Sequence, residues 1–202
     1  EKNYSHEIYG EKFYVFSLEV VRLSQATDII PITISERLLT DVDISIGREI
    51  KVEGQFRSYN SYENERNRLI LTVFAKEISE VEHSEEEKEE ITNTVELVGY
   101  ICKKPIYRQT PFGREIADIL LAVNRAYNKS DYIPCIAWGR NARYLSSLSV
   151  GENIKIWGRM QSRTYQKKNG DEMEERVAYE VSISKIEVAA DRKEKSMGNG
   201  SL

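Results

Sequence analysis

The chain is poor in the residues that build metal centres and cross-links. Its 202 residues hold two cysteines and two histidines. Cys102 and Cys135 are far apart, show no CxxC spacing and fall in strand-like segments, while His6 and His83 sit among polar residues. Neither a metal site nor a disulfide framework is expected, and a reducing cytoplasm fits this usage best. No apolar run approaches the roughly 20 residues that span a bilayer, and no signal-peptide pattern opens the sequence, so no membrane partner is expected. There is also no P-loop, no Ser/His/Asp set and no Cys/His cluster. Nothing points to an enzyme, and no cofactor is expected.

Positive charge is in deficit overall, with a formal net charge of −4. The deficit is local. Residues 1–92 carry 11 Lys and Arg against 20 Asp and Glu, whereas residues 93–190 carry 15 against 11. An anionic polymer should prefer the second half, because neutralised phosphates release counterions there. Between the halves, residues 82–92 read as an acidic linker, solvated or helical; the sharper alternative is an acidic strip that competes for the basic face. Residues 191–202 read as a disordered polar tail.

The sequence repeats itself. Thr27–Ile32 (TDIIPI) matches Ser130–Cys135 (SDYIPC) at a spacing of 103, and Gly47–Gly54 (GREIKVEG) matches Gly151–Gly158 (GENIKIWG) at 104. Arg22 falls on Arg125 and Gly10 on Gly113 at the first of these offsets, so the chain reads as two copies of one unit. Strands are expected over 13–23, 29–35, 49–58 and 69–81, with a helical turn at 36–39. The second copy should have strands over 94–101, 115–126, 132–138, 153–165 and 176–188, with a short helix over 141–148. Five strands with one helix between the third and fourth describe an OB-fold. The fold class expected is therefore all-β, two tandem OB-folds (five-stranded Greek-key barrels). Their spans are 1–81, a degenerate structural barrel, and 93–190, the binding barrel. The first copy has no counterpart of Val95–Gly99, so it is expected to lack its N-terminal strand, with about ten residues missing ahead of Glu1 by this alignment.

One stretch organises the second copy: Tyr107–Trp138, in which Tyr107, Phe112, Tyr127, Tyr132 and Trp138 interleave with Arg108, Arg114, Arg125 and Lys129. Flat rings beside cations suit a ligand with π faces and phosphates, which is the chemistry of single-stranded nucleic acid. Tyr132 and Trp138 are six residues apart on one strand, so both should face one way while Ile133, Cys135 and Ala137 face the core. The bland alternative is that Trp138 only caps the barrel. Asp131, like its counterpart Asp28, is read as shaping the turn before the strand.

From Asn93 to about Val188 the chain resembles the bacterial single-stranded-DNA-binding protein family. The resemblance rests on PIYRQTPFGREIADILLAVNR, IAWGRNARYL and VGENIKIWGRMQSRTY. It implies an OB-fold that binds single strands without sequence preference, in replication, repair or recombination. The family's base-stacking aromatics fall on Tyr127, Tyr132, Trp138 and Tyr165. The matching positions in the first copy are Ser24, Ile29 and Ser35, with only Tyr59 or Tyr62 near the fourth, so that platform is largely lost. The resemblance also implies four OB-folds per assembly, which a homodimer of tandem chains would supply. An acidic, Phe-terminated tip, which in many members recruits replication and repair enzymes, is not present at Gly198–Leu202.

Candidate phosphate ligands are Arg108, Arg114, Arg125, Arg163, Lys167 and Lys168, each of which could equally be a solubility charge. Trp157, on the outward face of the fourth strand where the first copy has Glu53, is assigned to an assembly interface. The alternative reading is a primosome-type adaptor or protein-interaction OB scaffold with weak nucleic-acid affinity, whose partners would be replication or primosome proteins. Localisation is expected to be cytoplasmic and nucleoid-associated.

Overall fold

The computed structural model describes residues 2–63, 66–81, 93–169 and 172–189. The acidic linker, the polar tail and His83 lie outside the described residues. The chain divides into two compact units, residues 1–94 with 160–180, and residues 95–159 with 181–202.

Along the second half of the chain, β6 (Val95–Ile101), β7 (Ile106–Gln109), β8 (Glu115–Asn124), β9 (Ser130–Trp138), α1 (Gly139–Ser146), β10 (Asn153–Asn169) and β11 (Glu172–Val188) follow in chain order. Their sheet order is β6-β10-β11-β9-β8-β7, and β6 also pairs with β8, which closes a five-stranded barrel. Alternation builds it. In β6, Leu97, Gly99 and Ile101 point inward while Glu96, Val98 and Tyr100 stay exposed. The core gathers Ile101, Leu121, Ile133, Ala137, Ile154, Ile156 and Val181, and α1 adds Ala142 and Leu145. Cys135 is buried among them, and both cysteines are free thiols.

The first unit carries β1 (Asn3–Ile8), β2 (Glu11–Val21), β3 (Thr27–Ser35), a 3-10 turn at Glu36–Leu39, β4 (Ile50–Glu63) and β5 (Arg66–Glu80), in the sheet order β1-β2-β3-β5-β4. The duplication is visible atom by atom. The parallel pairing of β3 with β5 (Ile32 with Val73) repeats that of β9 with β11 (Cys135 with Val181). A Cβ on Gly54 would collide with the carbonyl of Phe74, and one on Gly158 with the carbonyl of Ser182, which explains why that glycine recurs. No counterpart of β6 is present among the described residues of the first sheet.

Several expectations are corrected. The strands β1 and β7 were not anticipated; each is the outer strand of a hairpin turned at Gly10 or Gly113. The helix begins directly after Trp138 rather than at residue 141. Gln161 of β10, four residues on from the outward Trp157, is buried, and its amide donates to Glu180 at 2.7 Å. Asn93 extends the ladder there without being a strand residue: its side-chain amide donates to Met160 O at 2.8 Å and accepts from Met160 N–H at 3.0 Å.

Candidate nucleic-acid interface

The second unit presents one outward sheet face built from β7, β8 and β9. Cross-strand register puts Trp138 opposite Ile116 and Ile116 opposite Arg108, then Ile136 opposite Asp118, Pro134 opposite Leu120 and Tyr132 opposite Ala122. Directly opposed residues share a face, so Arg108, Trp138 and Tyr132 lie on the same surface. Tyr132 is 46% exposed and Trp138 42%, whereas Ile133, Cys135 and Ala137 between them are buried. Six residues of strand separate the two rings by about 20 Å.

Two hairpin tips extend that face. At the β8–β9 turn, Arg125 N–H donates to Lys129 O at 2.7 Å. Tyr127 (φ 60) and Asn128 (φ 55) both sit in the left-handed region, uncommon for a tyrosine, and Tyr127 is 93% exposed. At the β7–β8 turn, Thr110 N–H donates to Arg114 O and Gly113 N–H to Thr110 O, both at 2.8 Å. This turn lifts Phe112 to 93% exposure beside the exposed Arg114. Phe112 was not among the expected stacking residues. Its signal was an aromatic at the tip of a Pro-Phe-Gly turn, where a polar residue is usual.

The cations separate into two kinds. Arg108 bonds Asp118 through Nη2 at 2.9 Å and Nε at 3.0 Å, with both side chains well exposed. Such a pair is worth about 0–1 kcal/mol, so a phosphate can compete for the guanidinium. Arg114 has no ion pair among the described residues. Arg125 is different: its Nε lies 3.0 Å from Asp131 Oδ2, off the hydrogen-bond direction, with side-chain exposures of 28% and 2%. The first unit repeats this pair, Arg22 donating to Asp28 from Nε at 2.6 Å and from Nη2 at 2.5 Å. The bond from Asp28 raises the Arg22 pKa against the opposing effect of burial. The same arginine and aspartate pair thus recurs in both copies. Asp28 and Asp131 are accordingly buried anchors as well as turn residues.

Tyr107 donates its hydroxyl to Glu115 at 2.6 Å, a bond that raises the phenol pKa above its ordinary value. Glu115 also meets Arg143 of α1 at 2.9 Å, so Tyr107 ties the outer hairpin to the helix.

The remaining expected residues lie elsewhere. Arg163, Tyr165 and Lys168 belong to the first unit's share of β10, where Arg163 lies over the Tyr165 ring at 5.7 Å and 3.8 Å from Glu180. Lys168 is exposed; the side chains of Lys167 and Tyr62 lie outside the described residues. In the first unit, Ser24 is exposed, Ile29 partly exposed, and Ser35 buried, donating to Glu11 and capping the 3-10 turn. Trp157 stands on the β6–β10 wall of the second unit. Its Nε1–H donates to Glu96 at 2.9 Å, and Lys155 and Lys185 approach its ring to 4.7 and 4.4 Å. Glu96 is held below the usual carboxylate range, first by Lys155 and then by the indole, with desolvation opposing both.

These features define a tandem OB-fold protein in which one barrel carries exposed rings beside competent cations. Residues 92–189 match the model of the Single-strand binding protein family. A Staphylococcus aureus relative, Single-stranded DNA-binding protein 1, is 39% identical over 85 residues, covering 39% of this chain and 51% of that protein. Bacillus subtilis Single-stranded DNA-binding protein A is 36% identical over 85 residues, covering 49% of its length. The chain thus spans about half the length of these curated relatives. The crystal structure of the wild-type single-stranded DNA binding protein from Thermus aquaticus superimposes with a TM-score of 0.72 at 18% identity, covering 100% of this chain and 90% of that one. No helix among the described residues is long and apolar enough to cross a membrane.

Proposed function

We propose that this chain binds single-stranded DNA without sequence preference, serving replication, repair or recombination and carrying out no reaction of its own. The observation that carries the reading is the shared face of Tyr132 and Trp138, half-exposed on one strand with Arg108 in register. Each ring offers about 1–3 kcal/mol of base stacking, and stacking is indifferent to base identity. Tyr127 and Phe112 extend the platform at the hairpin tips, and Tyr165 is a further stacking residue. Arg108, Arg114, Arg163, Lys167 and Lys168 take phosphates, while Arg125 acts through the fold.

The functional partition we propose is a structural barrel over 1–81, the acidic linker 82–92 and the binding barrel over 93–190. Two chains would supply four OB-folds, with Trp157 on the β6–β10 wall at the contact between copies. A cytoplasmic, nucleoid-associated location follows from this ligand. Acidity of residues 1–92 and the loss of rings at Ser24, Ile29 and Ser35 favour a second role for the first barrel, as a scaffold for replication or primosome proteins.

The test is fluorescence anisotropy of a labelled dT oligonucleotide at several salt concentrations. With about four phosphates neutralised, log K should fall against log[salt] with a slope of roughly −3. No binding at low salt by folded protein would sink the DNA reading and leave the scaffold role.

A further inference from the structure

β10 and β11 are longer than the pairings that close the second barrel. β6 pairs with β10 from Asn153 to Gly158, and β9 meets β11 at Val181 and Ser182, so residues 160–169 and 172–180 make an arm beyond those registers. The arm belongs to the first compact unit. Two neighbouring strands by themselves are marginal in water, so something must hold them. Side chains take over the edge of β10 where β6 stops. Asn93 bonds both the N–H and the carbonyl of Met160. Two residues on, the strand N–H points to the same edge, and there Ser162 N–H donates to Asp28 Oδ1 at 2.7 Å. The Ser162 hydroxyl accepts from Ile29 N–H at 3.0 Å and stands 3.4 Å from the same carboxylate oxygen. Asp28 is fully buried and also holds Arg22, so its charge is fixed in place beside β3.

We infer that Asp28, Ile29 and Ser162 form a latch by which β3 positions the arm to receive single-stranded DNA, an inference that rests on the single-strand reading above. Asp28 and Ser162 are positioning residues; the contact with DNA is made by others. Strand alternation turns Arg163 and Tyr165 to the face opposite Ser162. On that face Arg163 is exposed and lies over the half-buried Tyr165 ring at 5.7 Å, and Lys168 is exposed further along the arm. Fixing one face therefore leaves a ring beside a cation open on the other. An arm already held loses less freedom when a strand docks on it, so the latch raises affinity without touching the ligand. The place of the latch in the repeat is informative. Ile29 stands where the second copy has Tyr132, so the first copy uses for a backbone bond to the arm the position at which the second carries a stacking ring. β3 thus contributes to binding through the arm rather than through rings of its own.

The experiment is a double-mutant cycle in the full chain, Ser162→Ala against Tyr165→Ala, read by anisotropy of a labelled dT oligonucleotide at low salt. Ser162→Ala should weaken binding by about three- to tenfold, and Ser162→Thr, which keeps the hydroxyl, should bind like the parent. In the Tyr165→Ala background, Ser162→Ala should change affinity by less than about twofold, because the ring it positions is gone. Amide hydrogen exchange in Ser162→Ala should quicken at Ile29 and over residues 163–168 and stay unchanged over 151–158. An equal loss from Ser162→Ala with and without Tyr165, or exchange that quickens over 151–158 as well, would make the pair a packing contact and overturn the latch. Parent-like binding by Ser162→Ala or by Tyr165→Ala, beside a parent chain that binds, would overturn the latch alone. A folded parent chain that does not bind the oligonucleotide would overturn the single-strand reading and the latch with it.

Discussion

Arg108 and Arg125 look alike in the sequence, and the structure makes opposite demands of them. The perturbation is Arg→Met at each, which removes the charge and keeps much of the stem. Asp131 is 2% exposed and its ion-pair partner Arg125 28% exposed. Breaking a buried pair from one side costs about 3–5 kcal/mol; water reaching Arg125 moves the expected figure for Arg125→Met to about 2–3 kcal/mol. For a unit of this size that lowers the thermal midpoint by about 10–20 °C. Asp118, paired with Arg108, is 37% exposed and rehydrates easily, so Arg108→Met should cost under about 1 kcal/mol of stability. Binding should divide the other way. Anisotropy well below both midpoints should show Arg125→Met near the parent affinity, and Arg108→Met weakened with its salt slope shallower by about 0.7. A stable Arg125→Met protein that binds weakly would refute the division, as would an unstable Arg108→Met protein.

Three further outcomes are expected. Trp138→Ala and Tyr132→Ala should each weaken oligonucleotide binding by about 1–3 kcal/mol, while Tyr132→Phe keeps most of it; equal losses for Phe and Ala would show that stacking is not the contact. Gly158→Ala, which drives a Cβ into the Ser182 carbonyl, should destabilise the protein by more than the propensity difference would suggest, read as a lowered denaturant midpoint. Because Glu96 is shifted down in the fold, its bonds to Lys155 and Trp157 stabilise above the ordinary glutamate pKa and are lost as pH falls through the lowered value. An NMR titration should show the Trp157 indole signal moving only in that acidic window, and movement near neutrality would reject the assignment.

The repeat made much of this protein legible before any coordinate. Paired offsets fixed two copies of one unit, and the crowded glycines and the Arg–Asp pair that recur with it occupy equivalent places in both. That the first sheet shows no counterpart of β6 among the described residues was readable for the same reason, since β6 itself is a plain alternating strand. The outward pairing of Tyr132 with Trp138 was readable too, because a period of two leaves no choice of face once Ile133, Cys135 and Ala137 are inside. The outer strands β1 and β7 were not, because four to six exposed residues carry no burial period to detect.

What the sequence by itself determined was the architecture and the pattern of rings beside cations, because periodicity, turn residues and residue spacing are local properties of the chain. What only the tertiary structure decided was the partner and the burial of each charge. Whether an arginine is free for a phosphate depends on a carboxylate six or ten residues away in sequence and on how much water reaches it, as Arg125 with Asp131 and Arg108 with Asp118 show. Burial of that partner is set by the packing of whole strands, and no single stretch of sequence encodes it.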